Sequence, residues 1–600
     1  MIRSSFVHLL AFLALASPSA MAEEPVSLTF EQPRPMPWGL GGYNVNLLTA
    51  TARFGTTYDG ESVGAALTEL QPRAMRFPGG TTANNYLWQE DSYAEQPDDR
   101  TKWAARQLSW FRSTRRAVGM EAFADVCRER GIAPVYVLNV FAETPESVRE
   151  LAARWREIGL SPAAIELGNE PYWDPRSLMN VWPYLERARP LAKTLREIVP
   201  GAKIGVCVGS VDPSQAYERN WNAKVAADQS WYDAVIYHEY YGGQGIAVEK
   251  GRAVPLAEIL DPEGYVAEPV RRLAETFPGK PIWLTEWNIG SKGLERWKDT
   301  GAESLFIARI TADIAAAEPI TLSGFHQIFG GAFGAYDFAT GGVLERKGSS
   351  HVLRLLGAAL RGGETIAAAN RTGGVAAFRI GAGSGSRLCI VNAGSDAITL
   401  SDSLTEGLRH QATLSCPPEG SMLSAAIDRS EIAGPATVPG YSVCVLSSQR
   451  LELPQAPTPG RNLLPPLPHL TLWHKPYARQ QPRLDPTGTY EIDVEKYREQ
   501  DAVFVKWNLS GLGLQPNVRY RATLEGRSEP SGALLMIAPG QDAKPAVMHG
   551  EFAEQTVEFT LPDAAAAADE SLTIDLLLTG EALGKLDRVT LRRFAVRPMQ

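Results

Sequence analysis

Two glutamates in this sequence end short apolar runs and stand beside other polar residues. Glu170 closes the run AAIELGNE, and Glu286 lies in the run PIWLTEWN. Two carboxyl groups about 5–5.5 Å apart can cleave a glycosidic bond, one as acid/base and the other as nucleophile. Either glutamate alone could instead stabilise the N-terminus of a following helix. The pair becomes a candidate site only if the fold brings both glutamates to one place.

Eight apolar runs between Gly39 and about Ser349 each have the pattern of a strand buried on both faces. They begin at Gly39, Arg73, Ala133, Ala163, Ala202, Asp233, Pro281 and Thr321. Helical patterns separate them, including Pro145 to Gly159 and Leu178 to Ile198. Eight strand–helix units in about 300 residues predict an α/β fold of the (β/α)8 TIM-barrel type. A doubly wound open sheet is the alternative, but it does not need eight such regular units.

In a TIM barrel the reacting groups lie at the carboxyl ends of the strands. Polar residues at these ends are Arg76 on strand two, Asn139 on strand three, Asn169 and Glu170 on strand four, His238 and Tyr240 on strand six, and Glu286 on strand seven. His238 alone would be an ordinary core histidine, but its position beside Tyr240 favours the site. Trp173 and Trp287 flank the two acids and could stack on sugar rings, with core packing as the alternative.

A third glutamate, Glu166, shares one side of strand four with Glu170 and is expected lower in the barrel. A carboxylate buried there needs a partner, and Arg76 could provide it. Arg76 could equally pair with Glu286. The sequence leaves this choice open.

The motifs GNEP on strand four and TEWN on strand seven resemble those of the clan A glycoside hydrolases. That superfamily has an Asn–Glu pair on strand four and a nucleophilic Glu on strand seven. RFPGG and TTANNYLW after strand two, the His-x-Tyr of strand six and a trailing β-sandwich extend the resemblance from Gly39 to about Arg450. It is nearest to the α-L-arabinofuranosidase, heparanase/β-glucuronidase and endo-glycanase branches.

The resemblance implies a retaining glycoside hydrolase with Glu170 as acid/base and Glu286 as nucleophile, acting on a poly- or oligosaccharide. Asn169 would then bind the sugar 2-hydroxyl, while His238, Tyr240 and Arg76 would orient and stabilise Glu286. No cofactor or metal is expected, because the eight histidines form no HxH or HxxEH motif. The competing interpretation is a non-catalytic carbohydrate-binding or scaffold protein on a glycosidase-like barrel.

The ends of the chain carry further signals. Residues 1–22 combine Arg3, a short apolar stretch and a small-residue cleavage site after Ala22, which predicts a signal peptide and a periplasmic or secreted protein. No later run is long enough to span a membrane, so no membrane insertion is expected. The net charge of −9 and the lack of a basic run argue against a nucleic-acid partner. The sequence does not indicate an oligomeric state.

The predicted domains are a barrel over residues 23–360, a β-sandwich over 361–450, a proline-rich linker over 451–468 and a β jelly roll over 469–600. The strand-like VSLTFEQP before the barrel could join the sandwich. Trp473, Tyr477 and Trp507 make the last domain a candidate carbohydrate-binding module. The five cysteines form no zinc motif, and their pairing is left open.

Overall fold

The computed structural model describes residues 25–454 except for 49, 52–54, 95–116, 175–176, 178–179, 212–215, 242–254, 263, 291–293, 331–332, 340–342, 370–373 and 382–384. Beyond residue 454 it describes the course of the strands. The predicted signal peptide therefore lies outside the described residues, and so does most of the predicted linker.

Eight parallel strands close into a barrel in chain order, with the eighth strand returning to the first. They are β1 (Gly39–Asn44), β2 (Ala74–Phe77), β3 (Ala133–Leu138), β4 (Ala164–Leu167), β5 (Lys203–Cys207), β6 (Ala234–Tyr241), β7 (Ile282–Ile289) and β8 (Ile320–Phe325). Each coincides with one of the eight apolar runs. The predicted (β/α)8 barrel is confirmed.

The helices form the layer outside the barrel. Those of ten residues or more are α1 (Glu61–Leu70), α2 (Met120–Arg130), α3 (Pro145–Ile158), α4 (Trp182–Ile198), α5 (Ala216–Ala226), α7 (Ala267–Thr276), α8 (Gly301–Ala316) and α9 (Gly348–Leu360). Shorter helices are α6 (Leu256–Leu260) and, in the β-rich region after the barrel, α10 (Asp402–Thr405), with 3-10 turns at Thr81–Asn85 and Glu295–Trp297. Among these described helices, none combines the length and apolar character needed to cross a membrane.

The ends of two helices follow local rules. Helix α3 begins after Thr144, whose hydroxyl accepts a hydrogen bond from the Ser147 N–H, and ends at Gly159 in the left-handed conformation (φ 72°). Helix α4 was predicted from Leu178 but begins at Trp182. The start at Trp182 puts Pro183 in the first turn, where its missing N–H costs no helical hydrogen bond.

A seven-stranded antiparallel sheet follows the barrel. Its strands, in spatial order, are Arg34–Pro35, Thr365–Ala368, Val375–Ile380, Arg387–Asn392, Ser442–Ser447, His410–Ser415 and Ile427–Glu431. The N-terminal segment therefore joins this sheet at its edge, where Arg34 pairs with Ile366. A two-stranded sheet, Ile398–Thr399 with Thr437–Val438, lies beside it.

The two faces of this sheet belong to different cores. One face, including Phe378 and Val391, is part of the same buried cluster as the barrel and contacts α8 and α9. The other face buries Leu388, Ile390 and Leu446 in a smaller cluster of its own. Because the first face packs on the barrel helices, we expect barrel and sheet to fold as one unit.

The strands beyond residue 469 form two antiparallel sheets, of six and five strands. The first contains, in order, Ala478–Gln480, Thr471–His474, Ala502–Asn508, Thr573–Thr579, Leu534–Ala538 and Ala546–Val547. The second contains Arg483–Leu484, Tyr490–Asp493, Arg588–Pro598, Arg519–Glu529 and Ala553–Thr560. This agrees with the predicted all-β domain. The side chains of Trp473, Tyr477 and Trp507 lie outside the described part, so glycan binding there stays a prediction.

The folded barrel–sheet unit extends past the predicted start of the linker at residue 451. Leu451 is buried in the main core. Arg354 on α9 donates from Nε to the Pro454 carbonyl and from Nη2 to the Leu453 carbonyl, each at 3.1 Å. The segment up to Pro454 is therefore anchored to the barrel.

Two truncations test this boundary. A chain that ends at Pro454 should keep the thermal stability of the barrel–sheet unit. A chain that ends at Arg450 loses the buried Leu451 side chain and both acceptors of Arg354, which should destabilise it by about 2 kcal/mol or more. Denaturant unfolding of the two proteins measures the difference. Equal stability of both would contradict the anchoring role of this segment.

Candidate active site

Arg76 on β2 is the hub of the polar groups inside the barrel mouth, and its side chain is buried. Its Nε and Nη2 donate to Oε2 of Glu166 at 2.9 and 2.7 Å. Its Nη1 donates to Oε1 of Glu286 at 2.6 Å and to Oδ1 of Asn44 at 2.8 Å, and Nη2 also reaches Oδ1 of Asn169 at 2.8 Å. The sequence left open whether Arg76 pairs with Glu166 or with Glu286. In the structure Arg76 pairs with both glutamates.

Glu286 on β7 is buried, and both of its oxygens are contacted. Oε1 accepts from Arg76, while Oε2 accepts from the Tyr240 hydroxyl at 2.6 Å. Nδ1 of His326 lies 3.5 Å and Nδ1 of His238 lies 3.8 Å from Oε2. Burial by itself raises the pKa of Glu286, but His238, His326, Arg76 and the Tyr240 hydrogen bond together hold it well below its usual value. Glu286 is therefore ionised at neutral pH.

Glu170, three residues after the end of β4, contacts the imidazole of His238. Nδ1 of His238 lies 3.0 Å from Oε1 of Glu170, and the other ring nitrogen lies 3.2 Å from Oγ1 of Thr285. Since the same Nδ1 is 3.8 Å from Oε2 of Glu286, those two carboxylate oxygens are at most about 6.8 Å apart. This bound accommodates the spacing of about 5–5.5 Å found in retaining glycosidases. The two glutamates share one cleft.

The surroundings of the two glutamates differ. The Glu170 side chain keeps 20% of its surface exposed, whereas Glu286 keeps 6%. Burial lowers the pKa of His238, but the negative Glu286 and the contact with Glu170 outweigh it and leave the pKa raised. Burial, with Glu286 nearby, also raises the pKa of the Tyr240 phenol, so this group remains a hydrogen-bond donor. The buried carboxylate is thus fixed by donors, and the more exposed one faces the cleft.

The side-chain amide of Asn169 is hydrogen-bonded at its oxygen but, among the described residues, not at its nitrogen. Its Oδ1 accepts from Arg76, which fixes the orientation of the amide. Its Nδ2 is buried and has no hydrogen-bond partner among the described residues. A buried donor without a partner is costly, so a ligand hydroxyl at this position would be stabilised. This is the position at which the resemblance expects a sugar 2-hydroxyl.

Of the other predicted site residues, Asn139 and Trp173 lie at the barrel mouth, whereas Trp287 is buried in the core. Asn139 donates from Nδ2 to the Tyr86 carbonyl at 3.0 Å, and its buried Oδ1 has no partner among the described residues. Trp173, three residues after Glu170, is 44% exposed at the barrel mouth, and its ring contacts that of Tyr172 edge-on at a centroid distance of 6.1 Å. Trp287 is 3% exposed and packs edge-on against Phe325, with ring centroids 5.3 Å apart.

The prediction that Trp287 contacts sugar is therefore wrong. Successive side chains of a strand point to opposite faces, so Trp287 points away from the site because Glu286 points into it. It lines a small internal cavity together with Leu353 and Leu356 of α9. It is a core residue.

His326, immediately after β8, is a site residue that the sequence analysis missed. Its ring contacts Tyr240 and Phe333 edge-on, at centroid distances of 5.8 and 5.7 Å. Burial lowers the pKa of His326, and the nearby Glu286 carboxylate opposes this shift without reversing it. Its signal was present, because a polar residue at the end of the eighth strand satisfies the same positional rule as the others.

Neither a metal centre nor a disulfide is found in the described part of the chain. No group of three His, Cys, Asp or Glu residues there has the arrangement to hold a metal ion. All five cysteines are buried with free thiols.

The barrel and the trailing sheet are similar in fold to solved α-L-arabinofuranosidases. An α-L-arabinofuranosidase of family GH51 from Thermotoga petrophila is 17% identical, with a TM-score of 0.53 over 69% of this chain and 97% of that chain. A family 51 α-L-arabinofuranosidase from Bifidobacterium longum is 14% identical, with a TM-score of 0.54 over 70% of this chain and 97% of that one. The α-L-arabinofuranosidase of Thermotoga maritima is 16% identical, with a TM-score of 0.52 over 70% and 98% of the two chains. No family model and no curated protein sequence matches the chain.

The depressed pKa of Glu286 makes a prediction about stability. A carboxyl group whose pKa is lower in the folded than in the unfolded chain stabilises the fold above its unfolded pKa of about 4.3, and this contribution is lost as the pH falls. The melting temperature of the native protein should therefore fall more steeply below about pH 5 than that of Glu286→Gln. The exposed Glu431, changed in the same way, is the control and should follow the native curve. If the melting temperatures of Glu286→Gln and of the native protein fall in parallel with pH, the lowered pKa of Glu286 is contradicted.

Proposed function

We propose that the protein is a retaining glycoside hydrolase in which Glu286 is the nucleophile and Glu170 the acid/base. The observation that carries the proposal is the single imidazole nitrogen of His238 in reach of both carboxylates. The division of roles follows from their surroundings. Glu286 is buried and kept ionised by Arg76 and Tyr240, as a nucleophile requires, while the more exposed Glu170 faces the side from which a leaving group departs.

The proposed first step is attack of Oε2 of Glu286 on the anomeric carbon. Oε2 is the oxygen nearer to His238 and hence to Glu170, whereas Oε1 is held by Arg76. The glycosidic bond breaks as its oxygen takes the proton of Glu170, which leaves the sugar esterified to Glu286. Glu170 then removes a proton from water, the water oxygen attacks the anomeric carbon, and Glu286 is released as a carboxylate.

Substrate binding is proposed for the available groups around this pair. The free Nδ2 of Asn169 would donate to the 2-hydroxyl, and the free Oδ1 of Asn139 would accept from another hydroxyl. The exposed ring of Trp173 would stack on the sugar beyond the cleaved bond. The substrate class is a poly- or oligosaccharide. Aryl α-L-arabinofuranosides are the first substrates to test, because solved proteins with this fold are named for that activity.

Export belongs to the same proposal. The charged N-terminus, the short apolar stretch and the cleavage site after Ala22 are the features that would carry the chain to the periplasm or the medium. Polymeric glycans are met there. Fractionation of a culture of the host into cytoplasm, periplasm and medium would show where the mature chain accumulates.

Loss of each glutamate should have a different kinetic result. Glu286→Ala should abolish turnover of every substrate, because no other group can form the glycosyl ester. Glu170→Ala should lower kcat/KM by about 10²–10⁴-fold for aryl glycosides with a poor leaving group, and much less for an acidic dinitrophenolate that needs no proton. The ratio kcat/KM is the quantity to compare, since it reports the step in which the aryl group leaves.

Glu239 provides the matched control for these variants. It lies on β6 between His238 and Tyr240, but accepts from the Tyr237 hydroxyl, on the other side of the strand. Glu239→Gln should retain activity on both kinds of aryl glycoside. An equal loss from Glu170→Ala on good and poor leaving groups would exclude Glu170 as the acid, and turnover by Glu286→Ala would exclude the covalent mechanism.

A covalent probe tests the intermediate directly. A 2-deoxy-2-fluoro glycoside with an acidic leaving group should esterify Glu286 and then hydrolyse slowly, so mass spectrometry of the intact protein should detect one added sugar. Peptide mapping should place that sugar on the segment that contains Glu286. Glycan binding without turnover or labelling would instead support the non-catalytic carbohydrate-binding alternative.

A further inference from the structure

We propose that Asn84 is a positioning residue that holds the acid/base glutamate through the backbone of Asn169. The inference rests on the proposed function of Glu170. Asn84 lies in the 3-10 turn Thr81–Asn85 that follows β2, and its side chain is buried. Its hydrogen bonds go to the backbone of Asn169 and to the side chain of Asp174, so its effect on Glu170 would be indirect.

The amide of Asn84 pairs with both backbone groups of Asn169. Its Oδ1 accepts from the Asn169 N–H at 2.9 Å, and its Nδ2 donates to the Asn169 carbonyl at 2.7 Å. A neighbouring strand would satisfy a backbone segment in the same way, but β4 has already ended at Leu167. Nδ2 also reaches Oδ2 of Asp174 at 3.2 Å. One side chain thus binds the residues on both sides of Glu170.

The bend between these two attachment points is strained. Glu170 has φ 42°, in the left-handed region that residues with a Cβ atom rarely occupy because of steric strain. Such a conformation persists only where surrounding contacts determine it. The Trp173 N–H closes the turn on the Glu170 carbonyl at 2.9 Å, and Asn84 fixes the two flanks. Without Asn84 the direction of the Glu170 side chain would be less well defined.

The chain contains a matched control at another strand end. Asn222 on α5 is also buried, and it brackets the backbone of Gly209 with the same pair of hydrogen bonds, at 2.8 Å from the Gly209 N–H and 3.0 Å to its carbonyl. Gly209 follows β5 and carries no catalytic side chain. Asn222→Ala therefore removes an equivalent pair of bonds without disturbing Glu170.

Leaving-group dependence separates positioning from general stabilisation. We expect Asn84→Ala to lower kcat/KM by about 10–10²-fold for an aryl glycoside with a poor leaving group and to change it little for the dinitrophenyl glycoside, because only the first reaction needs a well-placed proton. Asn84→Asp keeps the size and the acceptor but replaces the Nδ2 donor by a carboxylate oxygen that faces the Asn169 carbonyl. It should show the same pattern, and it serves as the second variant if Asn84→Ala does not fold.

Asn222→Ala should lose thermal stability but keep the native ratio of rates on the two substrates. Equal losses on both substrates in the Asn84 variants, or the same selective loss in Asn222→Ala, would overturn the positioning role. Glu170→Ala is measured in parallel to separate the two hypotheses. If Glu170→Ala shows the leaving-group dependence and the Asn84 variants do not, the inference fails alone. If Glu170→Ala itself lacks it, the proposed function fails and the inference fails with it.

Discussion

The buried guanidinium of Arg76 is the interaction on which the mouth of the barrel depends. A single permanent cation, almost removed from water, is shared by two buried carboxylates, those of Glu166 and Glu286. Each of these charges would be costly to bury alone, and their arrangement around one planar group repays that cost through direct hydrogen bonds. His238 lies beside this cluster. Burial lowers the pKa of its imidazole, but the carboxylate of Glu286 and the contact with Glu170 outweigh burial and leave the pKa raised.

The rest of the barrel mouth can be derived from this arrangement. Arg76 is held in one orientation because its donors are divided among Glu166, Glu286, Asn44 and Asn169. Asn169 is thereby fixed with Nδ2 free, and Glu286 is fixed with Oε1 occupied and Oε2 turned towards Tyr240 and His238. The Glu286 carboxylate is both buried and ionised, and without these donors its charge would need water to stabilise it. Preorganised donors take the place of that water.

Much of this could be predicted from the sequence, because both the fold and the two glutamates obey positional rules. Continuous apolar runs gave the eight strands, and the carboxyl end of a strand is where Glu170 and Glu286 had to be sought. The alternation of side chains also placed Trp287 on the outer face, and its assignment to the sugar failed because that rule was not applied. His326 was missed although it follows the eighth strand directly, where the same positional rule applies.

Other features depend on three-dimensional distances that no pattern contains. The simultaneous pairing of Arg76 with two glutamates needs β2, β4 and β7 to converge within the length of one guanidinium. The pairing of Asn84 with Asn169 joins residues 85 positions apart. Likewise, the boundary after Pro454 follows from the reach of Arg354 on α9, whereas the proline-rich composition alone placed the linker at residue 451.

The proposed double displacement explains why Arg76 has a second carboxylate partner, Glu166, in addition to Glu286. On the proposed mechanism Glu286 is negative in the free enzyme and neutral in the glycosyl ester, so the charge next to Arg76 changes twice in every turnover. If Glu286 were its only partner, Arg76 would be left as an unpaired buried cation in the intermediate, which is strongly unfavourable. Glu166 accepts two hydrogen bonds from the guanidinium, from Nε and Nη2, and takes no part in the proposed chemical steps. The ion pair of Arg76 with Glu166 therefore holds the guanidinium in place while the charge of Glu286 is removed and restored.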